Sequence, residues 1–461
     1  LVKMYLSFFS LTKVIPLAKR INKDTFSSIV TPLSQDQEES VSTTVGLMRG
    51  SFRDLLLRYI PKIQTIPLNQ GMTWVPSWKT MPGYGCRGDK TKPGGLFPRS
   101  PYFYFVLELR VFATLLRFIH SKGEQFSPLV LWPHRIRFAL DPTNSRWANV
   151  DLDACESTFA PWLPAIPEEA RAYFSFGRLG QACEGRAKRR LFAIGNYINQ
   201  RLLKPVHDWL MKVLVTLPMD GTFNQTAPLR RLRGQMVFYS YDLSAATDRL
   251  PLRVLFHVME SLFGRSYSSA VVNSTLAMNL FDVPWTKGFQ LGKGTGVVSF
   301  VVGQPLGYYS SWPLFALSHH ILVWYAAEQV YPGSIFARYA ILGDDCVIAD
   351  ENVATVYRNI MAGLQVKISD LKSLVSHRGA LEFAKRFLVK GASKDLSPVS
   401  VKALMGVHHP LGVYALKLAY PDIPERVCLR LAGAGYKVLG RSHYKLSKRY
   451  ARIVCMIHKL S

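Results

Sequence analysis

The feature that most constrains the fold is a glycine and two aspartates between two short apolar runs. The segment reads Tyr339-Ala-Ile-Leu-Gly343-Asp344-Asp345-Cys-Val-Ile-Ala349. Both runs favour β-strands, and glycine eases a tight turn, so the pattern predicts a β-hairpin with two carboxylates at its tip. Aspartate and glycine also occur in turns for backbone reasons alone, so the tripeptide by itself is weak evidence for catalysis.

A second pair of aspartates follows another apolar run. The segment Phe238-Tyr-Ser-Tyr241 predicts a strand that delivers Asp242 at its end, and Asp248 follows in the next loop. An unpaired carboxylate at the end of such a strand is costly to bury, and a metal ion would offset that cost. For Asp248 the alternative is an N-cap at the start of a helix.

Carboxylates on neighbouring strands are the protein part of a nucleotidyl-transfer site. Two Mg²⁺ ions about 4 Å apart activate a 3′-hydroxyl and stabilise the pyrophosphate leaving group. Mg²⁺, or Mn²⁺ in its place, prefers carboxylates, phosphates and water as ligands. Asp242 and Asp344 are the minimum set of protein bridges for this chemistry, and Asp345 would add an outer contact.

A glycine-bounded loop precedes a long apolar stretch and begins with Gly303-Gln304-Pro-Leu-Gly307. Small residues let a backbone approach a base pair closely, and the hydroxyls of Ser310 and Ser311 could reach a ribose. A simple turn before a core helix is the alternative. The following segment has no Asp, Glu, Lys or Arg up to Glu328, but its glycines, prolines and histidines argue against a membrane span. We therefore expect a loop followed by a buried helix.

Two basic elements complete the set of candidate residues. Lys188 and Arg190 would share one face of a strand and could hold a triphosphate, although a run of charges is usually a solvated face. Lys372 follows a predicted helix at 352–364 and could protonate the departing pyrophosphate, although a surface lysine is the simpler interpretation. Apolar periodicity also predicts helices at 102–120 and within 197–217.

The net charge of the chain indicates the kind of partner that it binds. Lys and Arg number 57 against 31 Asp and Glu, which gives a formal net charge of +26. Such an excess favours nucleic acid first and an anionic membrane surface second, with a nonspecific basic surface as the alternative. The six cysteines form no Cys-x-x-Cys pair, so a structural zinc site or a disulfide scaffold is not expected.

The order and wording of these motifs resemble the palm motifs of viral RNA-dependent RNA polymerases, and especially those of mitoviruses, near the narnaviruses. The resemblance covers about residues 180–390. The strings that carry it are Leu203-Lys-Pro-Val-His207-Asp, Asp220-Gly-Thr-Phe-Asn-Gln225, Asp242-Leu-Ser-Ala-Ala-Thr-Asp248-Arg-Leu-Pro, Gly303-Gln-Pro-Leu-Gly307, Ser310-Ser-Trp312, His319-His320, Leu342-Gly-Asp-Asp345 and Glu382-Phe-Ala-Lys385-Arg386-Phe.

The resemblance implies an α+β right-hand fold with fingers, an antiparallel palm sheet and a helical thumb. We expect the N-terminal region and fingers at 1–235, the palm at 236–387 with a fingers segment inserted at about 250–300, and a basic thumb at 388–461. The implied activity is Mg²⁺-dependent synthesis of RNA from ribonucleoside triphosphates on a single-stranded RNA template, in replication of a viral genome. The nascent RNA duplex is an expected partner, no dedicated membrane span is expected, and the implied location is the mitochondrion.

The resemblance also implies a role for each candidate residue. Asp242 and Asp344 would be metal ligands with Asp345 beside them, and Lys372 would be the general acid. Asp248 would select the ribose 2′-hydroxyl. The remaining roles are triphosphate binding by Lys188 and Arg190, proximity to the templating pair for Ser310 and Ser311, and RNA contacts by Gly303, Gln304, Lys385 and Arg386.

Two alternatives remain open at this point. An organellar reverse transcriptase shares the paired carboxylates but usually carries an aromatic residue where this chain has Leu342. A catalytically inactive relic would bind RNA through its positive charge alone. Such a copy would be expected to lose one of the carboxylates, yet Asp242, Asp344 and Asp345 are all present. Oligomeric state, template specificity and the mode of initiation stay open.

Overall fold

The computed structural model describes residues 2–13, 26–65, 177–183, 189–277, 279, 281–283, 297–408, 410–420 and 423–431, together with positions 452 and 455. The predicted helix at 102–120 lies outside these ranges. So do Lys188 and most of the basic region after residue 431.

Helices make up much of the described chain. The predicted helix within 197–217 runs from Tyr197 to Val215, and the predicted helix at 352–364 runs from Glu351 to Gly363. The helices span Val2–Phe9, Ser27–Val30, Gln35–Met48, Phe52–Tyr59, Tyr197–Val215, Ala246–Arg249, Leu252–Phe263, Arg265–Ser268, Ser311–Val330, Glu351–Gly363, Val401–Met405, Pro410–Ala419 and Glu425–Leu431, with a π-helix at Ser269–Ala277.

The described strands form three sheets. They are β1 (Gly177–Cys183), β2 (Arg189–Gly195), β3 (Phe238–Asp242), β4 (Phe281–Asp282), β5 (Val297–Val298), β6 (Tyr339–Leu342), β7 (Asp345–Ile348), β8 (Leu374–Ser376), β9 (Leu381–Phe383), β10 (Arg386–Val389) and β11 (Lys394–Asp395). The central sheet is antiparallel in the order β6-β7-β3-β8. The other two have the orders β2-β1-β4-β5 and β11-β10-β9.

Both faces of the central sheet are buried, and this explains why its strands are apolar runs rather than alternating ones. Side chains on one face, including Tyr241, Ile341 and Cys346, join the large core formed with the surrounding helices. Side chains on the other face join a second cluster with Phe383 and Leu388 of β9 and β10. The central sheet is therefore a layer between helices and the small three-stranded sheet β11-β10-β9.

The apolar stretch after residue 310 forms a buried helix, Ser311–Val330, which we call the core helix. Nearly all of its residues are buried, which agrees with a sequence that is apolar around its whole circumference. Pro313 lies in its first turn, where proline is tolerated. The expectation of a loop followed by a buried helix is confirmed. No helix within the described ranges is long and apolar enough to cross a membrane.

The hairpin predicted around the Gly-Asp-Asp tripeptide is present. Leu342 pairs with Asp345, so Gly343 and Asp344 form a two-residue loop between β6 and β7. Gly343 has a φ of 58°, and a positive φ is required at the first central position of such hairpin turns. A Cβ on Gly343 would also lie 2.4 Å from the Trp312 ring, so both backbone and packing require glycine there.

The chain after residue 400 is helical where it is described. Val413, Leu416 and Cys428 form a small separate core between these short helices. This agrees with the helical character expected of a thumb, while the domain boundaries remain a prediction.

Candidate functional site

The structure brings three of the predicted carboxylates to one end of the central sheet. Asp242, the last residue of β3, is directly opposite Asp345, the first residue of β7. Opposite residues of an antiparallel pair point to the same face, with Cβ atoms about 4.5–5.5 Å apart. Asp344 is exposed in the adjoining turn. Side chains about one hundred residues apart in sequence thus meet at one place.

The local electrostatics are those of an acidic site. Burial is the largest of the effects that raise the pKa of Asp345 to about 6. The neighbouring carboxylates of Asp344, Asp242 and Glu382 also raise this pKa, while Lys385 lowers it. Neighbouring carboxylates disfavour the ionisation of one another unless a cation lies near them. The cluster is therefore suited to binding positive charge.

Lys372 provides one such charge. Its ammonium nitrogen lies 3.2 Å from Oδ1 of Asp242, and both side chains are partly exposed. The loop that carries it is fixed to the same strand end, because the amide of Ser369 donates to the carbonyl of Asp242. The amide of Asp242 in turn donates to the hydroxyl of Ser373. The predicted general acid is therefore held beside the predicted metal ligands.

The donor set fits a hard divalent cation, since carboxylate oxygens are the protein ligands that Mg²⁺ and Mn²⁺ prefer. The placement of Asp242 opposite Asp345 supports this fit, because a bound cation would relieve the repulsion between the two carboxylates. Within the described part of the chain, no three His, Cys, Asp or Glu side chains are already arranged as a metal-binding group.

Asp248 lies in a short helix beside the Gly-Gln loop. The helix spans Ala246–Arg249 and its N-cap is Ala245, so the N-cap alternative for Asp248 is wrong. The carbonyl of Asp248 accepts a hydrogen bond from the amide of Gly303, and a Cβ on Gly303 would lie 2.2 Å from a backbone oxygen of Thr247. Glycine is needed here because two backbone segments touch.

Three polar groups of the loop and helix start are buried. Ser310, at a φ of 68°, is the N-cap of the core helix, and neither its hydroxyl nor that of Ser311 has a hydrogen-bond partner among the described residues. The side chain of Gln304 donates to the carbonyl of Ser311. The structure therefore does not bring Ser310 or Ser311 to an open surface, and contact with a templating pair would require the helix start to move.

The basic candidates are spread over separate elements. Arg190 is exposed on β2, whereas Lys188 lies outside the described residues. Lys385 lies at the turn between β9 and β10, close enough to influence Asp345. Arg386 forms an ion pair with Asp395 and is half-buried. Among these candidates, where the structure describes them, Lys385 is therefore the one with an effect on the carboxylates.

The sequence prediction assigns no role to His319, yet this residue supports the carboxylate turn. Its Nδ1 lies 2.7 Å from the carbonyl oxygen of Gly343, and its Nε2 lies 2.7 Å from the hydroxyl of Tyr357. Burial lowers the pKa of His319 to about 4. A neutral ring can donate to the carbonyl and accept from the tyrosine. The sequence feature that could have drawn attention to His319 is its position in a segment that has no Asp, Glu, Lys or Arg before Glu328.

Comparisons with known proteins identify the family of this chain. The family model Mitovirus RNA-dependent RNA polymerase matches residues 115–426. An uncharacterized mitochondrial protein of Arabidopsis thaliana is 51% identical over 235 residues, which are 50% of this chain and 91% of that protein. A second one is 58% identical over 159 residues, 34% of this chain and 76% of that protein.

A viral relative extends the comparison. The RNA-directed RNA polymerase of Cryphonectria parasitica mitovirus 1 is 34% identical over 215 residues, which are 46% of this chain and 25% of the viral protein. The RNA-dependent RNA polymerase of a human picobirnavirus superposes with a TM-score of 0.40 at 15% identity, over 60% of this chain and 59% of that one. That similarity is too low to support any residue assignment.

The family match and the viral relative confirm the predicted resemblance and the predicted enzyme class, RNA-directed RNA polymerase. The mixture of helices and largely antiparallel sheets agrees with the predicted α+β right-hand fold. This chain belongs to the mitovirus RNA-dependent RNA polymerase family.

Proposed function

We propose that this chain joins ribonucleotides on a single-stranded RNA template by two-metal nucleotidyl transfer. The observation that carries the proposal is the placement of Asp242 opposite Asp345, with Asp344 in the adjoining turn. Bound Mg²⁺ or Mn²⁺ would activate the attacking 3′-hydroxyl and neutralise the pyrophosphate leaving group. Asp242 and Asp344 would hold the ions, and Asp345 would lie beside them.

Lys372 would act as the general acid for the leaving group. Its contact with Asp242 keeps the ammonium within the site. When positive charge enters the carboxylate cluster, Coulomb repulsion favours release of Lys372 from Asp242. A released ammonium could then transfer a proton to the departing pyrophosphate.

Other side chains would bind the substrates. Asp248 would accept a hydrogen bond from the ribose 2′-hydroxyl of the incoming ribonucleotide, and Lys188 and Arg190 would bind its triphosphate. The residues proposed to contact the template or the nascent RNA duplex are Gly303, Gln304, Ser310, Ser311, Lys385 and Arg386. The net charge of +26 supports binding of RNA phosphates.

The proposed biological role is replication of a mitovirus-like RNA genome in mitochondria. Two relatives from Arabidopsis thaliana carry the word mitochondrial in their names. The viral relative is an RNA-directed RNA polymerase of a mitovirus. These similarities support the location and the role for this chain.

Primer extension on a short RNA template, with purified full-length protein, tests the activity. We expect incorporation of rNTPs with Mg²⁺ or Mn²⁺, and its loss in Asp344→Ala while binding of the RNA persists. Preference for dNTPs would instead identify a reverse transcriptase. Binding of RNA without incorporation by the unaltered protein would identify an inactive RNA-binding protein.

A further inference from the structure

The carboxylate of Asp248 has a hydrogen-bond donor from a distant part of the chain. The hydroxyl of Ser28 lies 2.8 Å from Oδ2 of Asp248, across a separation of 220 residues. Burial raises the pKa of Asp248, and the hydrogen bonds from Ser28 and Thr247 lower it. Ser28 therefore both orients the carboxylate and favours its ionised form.

The segment that carries Ser28 is fixed on either side of this contact. Phe26 and Ile29 are buried in the large core, with exposed fractions of 0% and 2%. The carbonyl of Ile29 accepts from the amide of Val301 at 3.1 Å, and the carbonyl of Thr31 accepts from the Arg249 guanidinium at 2.6 Å. The hydroxyl of Ser28 is thus presented by an anchored segment.

The backbone of Asp248 is fixed as well. Its carbonyl accepts from the amide of Gly303, and the carbonyl of Thr247 accepts from the amide of Gln304, both at 3.0 Å. With the backbone held, the remaining freedom of Asp248 is rotation of its carboxylate, and the donor on Ser28 restricts that rotation.

We propose that Ser28 is a positioning residue that holds the carboxylate of Asp248 for the ribose 2′-hydroxyl and thereby increases discrimination between rNTPs and dNTPs. This inference rests on the proposed function, in which Asp248 accepts from that hydroxyl. A carboxylate oriented for the 2′-hydroxyl loses a hydrogen bond when a deoxyribose occupies the site, and a site built around such a bond rejects the analogue that lacks it. A freely rotating carboxylate would discriminate less.

The same contact could have a purely structural effect by anchoring the N-terminal segment. Ser40 offers a matched control, because its hydroxyl donates to the carbonyl of Gly363 at 3.0 Å and also joins that segment to the remainder of the fold. Ser40→Ala removes this hydrogen bond, together with a 3.5 Å contact from the side-chain amide of Gln365, without touching Asp248. Ser28→Thr retains a hydroxyl and tests whether the donor itself is needed.

The experiment compares kcat/KM for matched rNTPs and dNTPs in RNA-primed extension by the full-length protein. The variants are Ser28→Ala, Ser28→Thr, Ser40→Ala and Asp248→Ala, each first compared with the unaltered protein by thermal unfolding. We expect Ser28→Ala to reduce the rNTP-to-dNTP ratio about three- to tenfold, the size of one typical net hydrogen bond, because Ser28 acts on the ribose only through Asp248. Ser28→Thr should recover most of the ratio, and Ser40→Ala should leave it unchanged.

The outcomes distinguish a failure of the role of Ser28 from a failure of the proposed function. If Asp248→Ala reduces the ratio and Ser28→Ala does not, the role of Ser28 is overturned while the proposed function stands. An equal reduction in Ser40→Ala would also overturn it, because the effect would then belong to the segment as a whole. If Asp248→Ala leaves the ratio unchanged, the role of Asp248 in ribose recognition fails and this inference fails with it, while the proposed polymerase activity stands. If the unaltered protein incorporates no rNTP, the proposed function itself fails.

Discussion

Lys372 and Asp242 form an ion pair at the open end of the central sheet, with the ammonium nitrogen 3.2 Å from Oδ1 of the carboxylate. The two residues come from different motifs, a strand end and the loop before β8. Since 60% of the lysine side chain and 34% of the aspartate side chain are exposed, the pair adds little to stability. Its consequence is positional, because it keeps a proton donor beside the predicted metal ligands.

The first prediction concerns this lysine. Lys372→Leu should lower kcat for nucleotide incorporation by about 10²-fold or more and leave KM for the rNTP nearly unchanged, because a general acid acts in the transition state. Unfolding free energy should change by less than about 1 kcal/mol. Lys367→Leu, at an exposed position on the preceding loop, is the control. An unchanged kcat for Lys372→Leu would exclude the general-acid role.

The second prediction concerns pH and Asp345. Its pKa is raised from 3.8 to about 6 in the folded protein, so the folded state binds this proton more tightly than the unfolded state. Its contribution to stability is present below pH 4 and is lost as the pH rises through about 6. Asp345→Asn cannot ionise and should therefore be more stable than the unaltered protein at pH 7.5, by about 1–2 kcal/mol after allowance for screening.

Urea unfolding in metal-free buffer between pH 4 and pH 7.5 checks this difference, which should vanish at the acid end. Asp370→Asn removes an exposed carboxylate that pairs with Arg358 and controls for the change in net charge. Lower stability of Asp345→Asn at pH 7.5 would contradict the electrostatic description of the site.

The third prediction concerns His319, which supports the carbonyl of Gly343. His319→Phe should lower the free energy of unfolding by about 2–4 kcal/mol, because it leaves the carbonyl and the hydroxyl of Tyr357 without their buried partner. The pKa of His319 falls to about 4 on folding, so its stabilisation is present above about pH 6.5 and is lost as the pH falls through 4. Between about pH 6.5 and pH 4, His319→Phe should therefore lose less stability than the unaltered protein.

Chemical unfolding at a series of pH values measures the effect of His319→Phe, with Tyr357→Phe as the variant that removes only the tyrosine hydroxyl. In Tyr357→Phe the free energy of unfolding should still fall at acid pH, because His319 is still present. An identical pH dependence in the unaltered protein and in His319→Phe would show that the buried ring does not titrate as described.

The fourth prediction concerns Gly303. Alanine there would place a Cβ 2.2 Å from the carbonyl oxygen of Thr247, so the loop or the helix of Asp248 must move. Gly303→Ala should destabilise the protein by about 2–4 kcal/mol and reduce nucleotide incorporation. Gly46→Ala is the matched control, because Gly46 lies within a helix and a Cβ added there would have no atom within 4 Å. It should stabilise by about 0.5–1 kcal/mol, and a Gly303→Ala protein of unaltered stability would contradict the close packing.

Local patterns predicted the elements that carry the site. The hairpin at Gly343, the strand ending at Asp242 and the buried core helix all follow from apolar runs, turn residues and the absence of charge over a long segment. Their relative placement followed from the resemblance to viral polymerases, since no periodicity can show that Asp242 pairs with Asp345.

Long-range polar contacts could not be predicted from the sequence. The bond from Ser28 to Asp248 joins two ordinary local sequences, and neither contains a signal for the other. His319 gave no sign that its ring would meet Gly343, because that contact depends on how the core helix packs on the hairpin. Burial of the Ser310 hydroxyl likewise depends on tertiary packing and not on the loop sequence.

The measurement that tests the central claim most directly is a double-mutant cycle on Asp242 and Asp344 in RNA-templated incorporation of a single rNTP. If the two carboxylates act as one unit, Asp242→Asn and Asp344→Asn should each reduce the rate to background, and the double variant should be no slower than either. A single variant that keeps the rate of the unaltered protein would contradict the account.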